Sequence, residues 1–113
     1  MEELIKEVLA KNKAYSEDKI QLSPYCLRKM TERQISEETV ISTLLSNQEL
    51  FYVNIEKKTF GGVFEDRYKL IYKISSRYSL IIIIAYYESV LKVINVIKTS
   101  KDIEKKWRKK ILR

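Results

Sequence analysis

The stretch RYKLIYKISSRYSLIIIIAYY, residues 67–87, decides the fold. In its first part Tyr68, Leu70, Tyr72 and Ile74 alternate with Arg67, Lys69, Ile71 and Lys73, the two-residue period of a strand with one buried face. Residues 75–78 read as a turn. Residues 79–87 are apolar at both parities, so they read as a central strand covered on both sides. Working outward, residues 88–89 read as the next turn and 90–98 as the last strand. Upstream, 50–55 reads as a strand and 57–66, which contains Gly61-Gly62, as a loop. Strands at this spacing join their sequence neighbours through hairpins.

The first half of the chain carries the helical period. Leu4, Ile5, Val8 and Leu9 form the stripe of an amphipathic helix that ends near Asn12. Residues 13–19 are polar, and 20–22 fit a short strand. Ser23-Pro24 reads as an N-cap followed by a first helical residue, because proline lacks the donor that position leaves unused. The helix it opens runs to about Arg33, with Cys26, Leu27 and Met30 expected to face inward. After a tight turn at Gln34-Ile35, Ser36 caps a second helix. Glu37-Glu38 complement its dipole, and Val40, Ile41, Leu44 and Leu45 form its buried stripe. These elements predict an α+β fold: an N-terminal helix and a short αα-hairpin packed on a four- to five-stranded antiparallel sheet. A basic C-terminal helix is expected over 99–113, where Ile103, Trp107 and Ile111 recur every four residues.

Charge is segregated. The chain has 22 Lys and Arg against 15 Asp and Glu, and residues 98–113 hold eight of the basic residues with only Asp102 and Glu104 to oppose them. A basic stripe of this kind attracts polyanions, and nucleic acid rewards clustered cations by counterion release. Lys105, Lys106, Arg108, Lys109, Lys110 and Arg113, with Arg77 on the sheet side, are therefore candidate nucleic-acid contacts. Length fits a single domain, 1–113. The longest apolar run, 80–87, is eight residues, against the ~20 of a membrane-spanning helix, so no membrane is expected. The lone Cys26 and the acidic start of the chain fit a cytoplasmic location.

The 113 residues include no histidine, which excludes imidazole acid–base chemistry and histidine metal centres. With no Cys/His cluster, P-loop or GxGxxG pattern, no cofactor or metal is expected. Chemistry falls to Arg, Lys, Tyr, Glu and Asp. On the first short helix Tyr25, Lys29 and Arg33 recur every four residues, along one face. A phenol, an ammonium and a guanidinium in a row suit a phosphate and the protons around it. The same residues also fit a solvated helix face, the commoner fate of charged side chains. Likewise Arg67, Lys69 and Lys73 fit either a basic sheet surface or the solvent side of an edge strand. Tyr52, Tyr68, Tyr72, Tyr86 and Tyr87 fit base stacking or simple strand preference.

Residues 23–35, SPYCLRKMTERQI, resemble the helix motif His-Ala-x-x-Arg-x-x-x-Arg-x-Ile of small uncharacterised relatives of the RelE and BrnT toxins. Tyr25 stands at the His position, Cys26 at Ala, Lys29 and Arg33 at the two Arg positions, and Ile35 at Ile. Asp66-Arg67-Tyr68, residues 77–82 and residues 93–96 are similar to later strands of that family, with Asn95 where Thr is usual. The resemblance covers 20–98 and leaves the 1–14 helix and the basic tail as additions. It implies a RelE-like fold and a toxin of a toxin–antitoxin pair: a metal-independent endoribonuclease acting on RNA, ribosome-associated in some members, and restrained by a cognate antitoxin. In such enzymes the ribose 2′-OH attacks the adjacent phosphate. The resemblance makes Arg33 and Arg67 the phosphate clamp, Lys29 the offset for developing charge, and Tyr25 the acid or base in place of imidazole. Phenols titrate near ~10, so a base in that position depends on neighbouring cations. Two other functions fit the residues: a non-catalytic nucleic-acid-binding module that uses the basic tail, and an interaction domain that homodimerises through the N-terminal helix or an edge strand.

Overall fold

A computed structural model describes residues 1–100. The chain order is α1 (Glu2–Lys13), a 3-10 turn (Glu17–Lys19), β1 (Ile20–Leu22), α2 (Pro24–Arg33), α3 (Glu37–Ser46), β2 (Leu50–Phe60), β3 (Val63–Lys73), β4 (Tyr78–Tyr86) and β5 (Leu91–Ser100). The sheet order is β1-β5-β4-β3-β2. The fold is α+β, with three α-helices and one five-stranded sheet among the described residues.

β4 is the middle strand, as its two apolar faces require. Leu80, Ile82 and Ile84 point to the helices and Ile81 and Ala85 to the opposite face, and all five are buried. β2 to β5 form an antiparallel meander. The main core joins Val8 of α1, Cys26 and Met30 of α2, and Val40 and Leu44 of α3 to Val53, Leu70, Tyr72, Val93 and Val96 of the sheet.

Four expectations need correction. The sheet is mixed, because β1 pairs with β5 in parallel, Ile20 opposite Leu91 and Leu22 opposite Val93. The connection from β1 passes through two helices and the whole meander, so it can return in either sense. Second, 57–66 is not a loop. β2 and β3 run on to Phe60 and Val63 around a two-residue turn, with Gly61 at φ 56° and Gly62 at φ 83°, the left-handed pair that a hairpin turn of this length requires. Third, Leu27 is exposed; α2 turns only the Cys26–Met30 line inward. Fourth, the helix expected from 99 cannot start there. Thr99 and Ser100 extend β5 and pair with Ser79 and Tyr78 of β4. The rest of that helix and Lys105, Lys106, Arg108, Lys109, Lys110 and Arg113 lie outside the described residues. No helix among the described residues is long and apolar enough to cross a membrane.

α2 is tied down at both ends. Ser23 Oγ accepts from the Cys26 amide at 3.1 Å and donates to the Ile94 carbonyl at 3.1 Å. The backbone N–H of Ser23 continues the β1 ladder onto the Val93 carbonyl. Gln34 closes the helix in the left-handed conformation, φ 57°. The helix thus seals Cys26 completely, and burial pushes its thiol up to about 11. Iodoacetamide at mildly alkaline pH is therefore expected to label Cys26 about 100-fold more slowly in the folded protein than in urea. Equal rates, read by mass spectrometry, would place the thiol outside the core.

Candidate nucleic-acid cleft

The β2–β3 ribbon overhangs the sheet. β4 pairs with β3 only as far as Tyr68 opposite Ile84, whereas β2 follows β3 out to the glycine turn. Because alternate strand residues take opposite faces, Lys58, Arg67 and Lys69 project from the ribbon on the face away from the core. Across the sheet, α2 covers the edge of β5 and brings Tyr25 to the same side. Between them is a cavity of about 310 Å³ lined by Tyr25, Lys58, Arg67, Lys69 and Asn95, with Glu56, Ile83 and Ile94 completing it. Three cations face one carboxylate there.

Each candidate side chain has a defined setting. Tyr25 is 45% exposed. Lys29 Nζ sits 5.7 Å from the centroid of its ring and 3.3 Å from Glu32 Oε2, a surface pair worth little. Arg67 Nε donates to Glu65 Oε2 at 2.8 Å, and its guanidinium carbon lies 4.7 Å from the Phe60 ring centroid. Lys58 pairs with Glu56 at 3.3 Å. The Tyr87 hydroxyl donates to Glu65. That bond, followed by Arg67, holds the Glu65 carboxyl below its ordinary range, while partial burial opposes the shift.

The structure brings Tyr25 and Arg67 to one cavity, with Lys29 beside Tyr25. Arg33 is placed differently. Its guanidinium donates to the Val96 carbonyl at 2.6 Å and to Asn95 Oδ1 at 3.1 Å, so it works as a bolt between α2 and β5. Arg77 is exposed in the turn before β4, away from the cavity lining. Lys58 carries no site signal in the sequence, where 57–66 reads as a loop. The Gly61-Gly62 pair was the signal that sets Lys58 across from Glu65 and Glu56 across from Arg67. Among the described residues no group of three or more His, Cys, Asp or Glu forms a potential metal site. Compared with known proteins, the chain matches no family model, no curated protein and no solved structure.

Two expectations follow. Arg33→Ala leaves the Val96 carbonyl without its donor and is expected to lower unfolding free energy by about 1.5–3 kcal/mol in urea titrations; an unchanged midpoint would remove the bolt. Glu65, whose folded pKa is depressed, stabilises the protein above the unfolded carboxylate pKa, and that contribution is lost as pH falls through the folded value. Tyr87→Phe, which removes the main cause of the depression, should therefore flatten the acid limb of a stability–pH curve below about 4.5.

Proposed function

We propose that the chain is an RNA-targeting, toxin-like protein whose cleft seats a phosphodiester and cleaves it by attack of the neighbouring 2′-OH. One observation carries the reading: Tyr25 of α2 and Arg67 of β3, far apart in sequence, line a single cation-rich cavity with Lys58 and Lys69. The resemblance of residues 23–35 to RelE and BrnT relatives supports it independently of that geometry.

The proposed chemistry needs no metal. Arg67 presents a planar fork to the phosphate oxygens, and Lys58 and Lys69 add positive charge as the phosphorane forms. As the 2′-oxygen bonds to phosphorus its proton leaves. The bond to the 5′-oxygen breaks and that oxygen takes a proton, Tyr25 serving as acid or base and Lys29 standing beside it. Arg33 holds α2 and reaches the cleft only through Asn95. A cognate antitoxin is the proposed restraint.

A second reading has its own support. Arg67 is bonded to Glu65 and Arg33 to β5, which leaves fewer unengaged cations than a working RNase site needs. In that case the module binds nucleic acid without cleaving it, aided by the basic tail.

Bulk protein synthesis and growth after induced expression separate the two. Wild type is expected to arrest synthesis, with Arg67→Ala and Tyr25→Phe losing the arrest while keeping a native circular dichroism spectrum. For Arg67→Ala the expected loss in cleavage rate is about 10²–10³-fold. A stable wild type that arrests nothing, yet binds RNA with a steep salt slope that falls on deletion of 105–113, would establish the binding module instead. No arrest and no binding would sink both.

A further inference from the structure

A second cavity, of about 350 Å³, opens at the free edge of β3 where β4 runs out. Phe64, Asp66 and Tyr68 of β3, Tyr86 and Tyr87 at the end of β4, and Lys11 of α1 line it. With Glu65 added, four aromatic rings, two carboxylates and one ammonium line it, a composition unlike the cleft, and its volume lies in the range of small-ligand sites. Phe64 is 73% exposed and Tyr87 41%, an aromatic surface that the rest of the fold does not use. The rings behind them are fixed. Tyr86 stacks on Tyr15 at 6.0 Å and meets the edge of Tyr68 at 4.9 Å, and Lys11 Nζ lies 4.3 Å from its centroid.

The two cavities are joined through one side chain. Glu65 lines the aromatic cavity and takes hydrogen bonds from both Tyr87 and Arg67, and Arg67 lines the cleft. Arg67 and Phe64 lie on opposite faces of β3, so a strand bound at Arg67 reaches Phe64 and Tyr87 by passing round the edge of β3 beside Glu65, beyond the last β4 pair at Tyr68. We infer that this cavity is the base subsite for the nucleotide adjoining the phosphate in the cleft, an inference that rests on the RNA reading above. Its occupant is an unpaired nucleobase stacked on Phe64 and Tyr87, because aromatic side chains hold splayed bases of single-stranded RNA by their π faces. Asp66, whose cross-strand partner is Lys57, accepts hydrogen bonds from the edge of the base. That favours amino-bearing edges such as cytosine N4 over the O4 of uracil. Lys11 supplies a cation for the phosphate beyond.

Fluorescence anisotropy with short labelled 2′-O-methyl oligo(C), oligo(U) and an abasic strand tests this on the full-length protein, since these strands lack the attacking hydroxyl. Wild type should prefer oligo(C) to oligo(U). Phe64→Ala should weaken oligo(C) roughly five- to a hundred-fold while leaving the abasic strand unchanged, and Asp66→Ala should erase the preference for C. Phe64 is exposed, so the variant is expected to melt as wild type does. If Phe64→Ala binds oligo(C) like wild type while Arg67→Ala weakens it, the subsite is wrong and the cleft stands. An equal loss on the abasic strand makes Phe64 a mere support of the ribbon and also overturns the subsite. A wild type that binds none of the strands removes cleft and subsite together.

Discussion

Where β1 stops at Leu22, β5 runs on with backbone carbonyls that no further strand among the described residues satisfies, and buried carbonyls without donors are costly. The rest of the molecule is arranged around that constraint. The backbone of Ser23 meets Val93, its hydroxyl meets Ile94, and the Arg33 guanidinium meets Val96. α2 is in effect a replacement strand made of side chains, and its two ends are spaced by the carbonyls they must reach. That spacing fixes the rotation of the helix. Cys26 and Met30 turn into the core, and Tyr25, one residue earlier, turns toward the face of the sheet opposite that core.

The sheet therefore has two unlike sides. Toward the helices it presents the continuous apolar surface of the core. On the other side the floor of the cleft, Ile83 and Ile94, is bounded by α2 and by a ribbon longer than the strands it departs from. The overhang gives the cleft its second wall. It also places charged residues in cross-strand register, Glu56 with Arg67 and Lys58 with Glu65, so the positive groups are spread along the wall and interleaved with acceptors that hold them in line. Any anion entering there competes with these carboxylates for the cations, a contest that ionic strength screens.

Elements whose signal is local were legible in the sequence. Ser23-Pro24 and Ser36-Glu37 gave both short helices their starts, and both serines cap as read, on the amides of Cys26 and Thr39. Tyr68–Ile74 and the apolar run after Ser79 gave the centre of the sheet. What stayed hidden lacks burial or locality. Residues 56–60 have no third strand over them, so Lys57, Lys58 and Thr59 carry no apolar alternation to mark them as strand. The parallel pairing of β1 involves three residues and a partner at the far end of the chain. In the candidate site, Tyr25 and Arg67 stand out by residue type, but their meeting in one cavity depends on α2 and β3 coming together and has no local signal. Arg33 was misleading, because a guanidinium that binds a carbonyl and one that binds a phosphate look alike in a sequence.

Asn12 is wholly buried, its amide set between the hydroxyls of Tyr72 and Tyr86 at 3.3 and 2.5 Å. These bonds span 60 and 74 residues of sequence, and the ties from Tyr15 to Tyr87, Ser23 to Ile94 and Arg33 to Asn95 span 72, 71 and 62. The long-range polar ties of the N-terminal segment are thus supplied by β3, β4 and β5, while α1 also packs on α3 and β2. Such long loops close slowly, and on a ribosome the order is stricter still. α1 finds α3 and β2 soon after it emerges, whereas α2, with its polar anchors unpaired, waits for β5 to leave the exit tunnel before it has a strand to dock on.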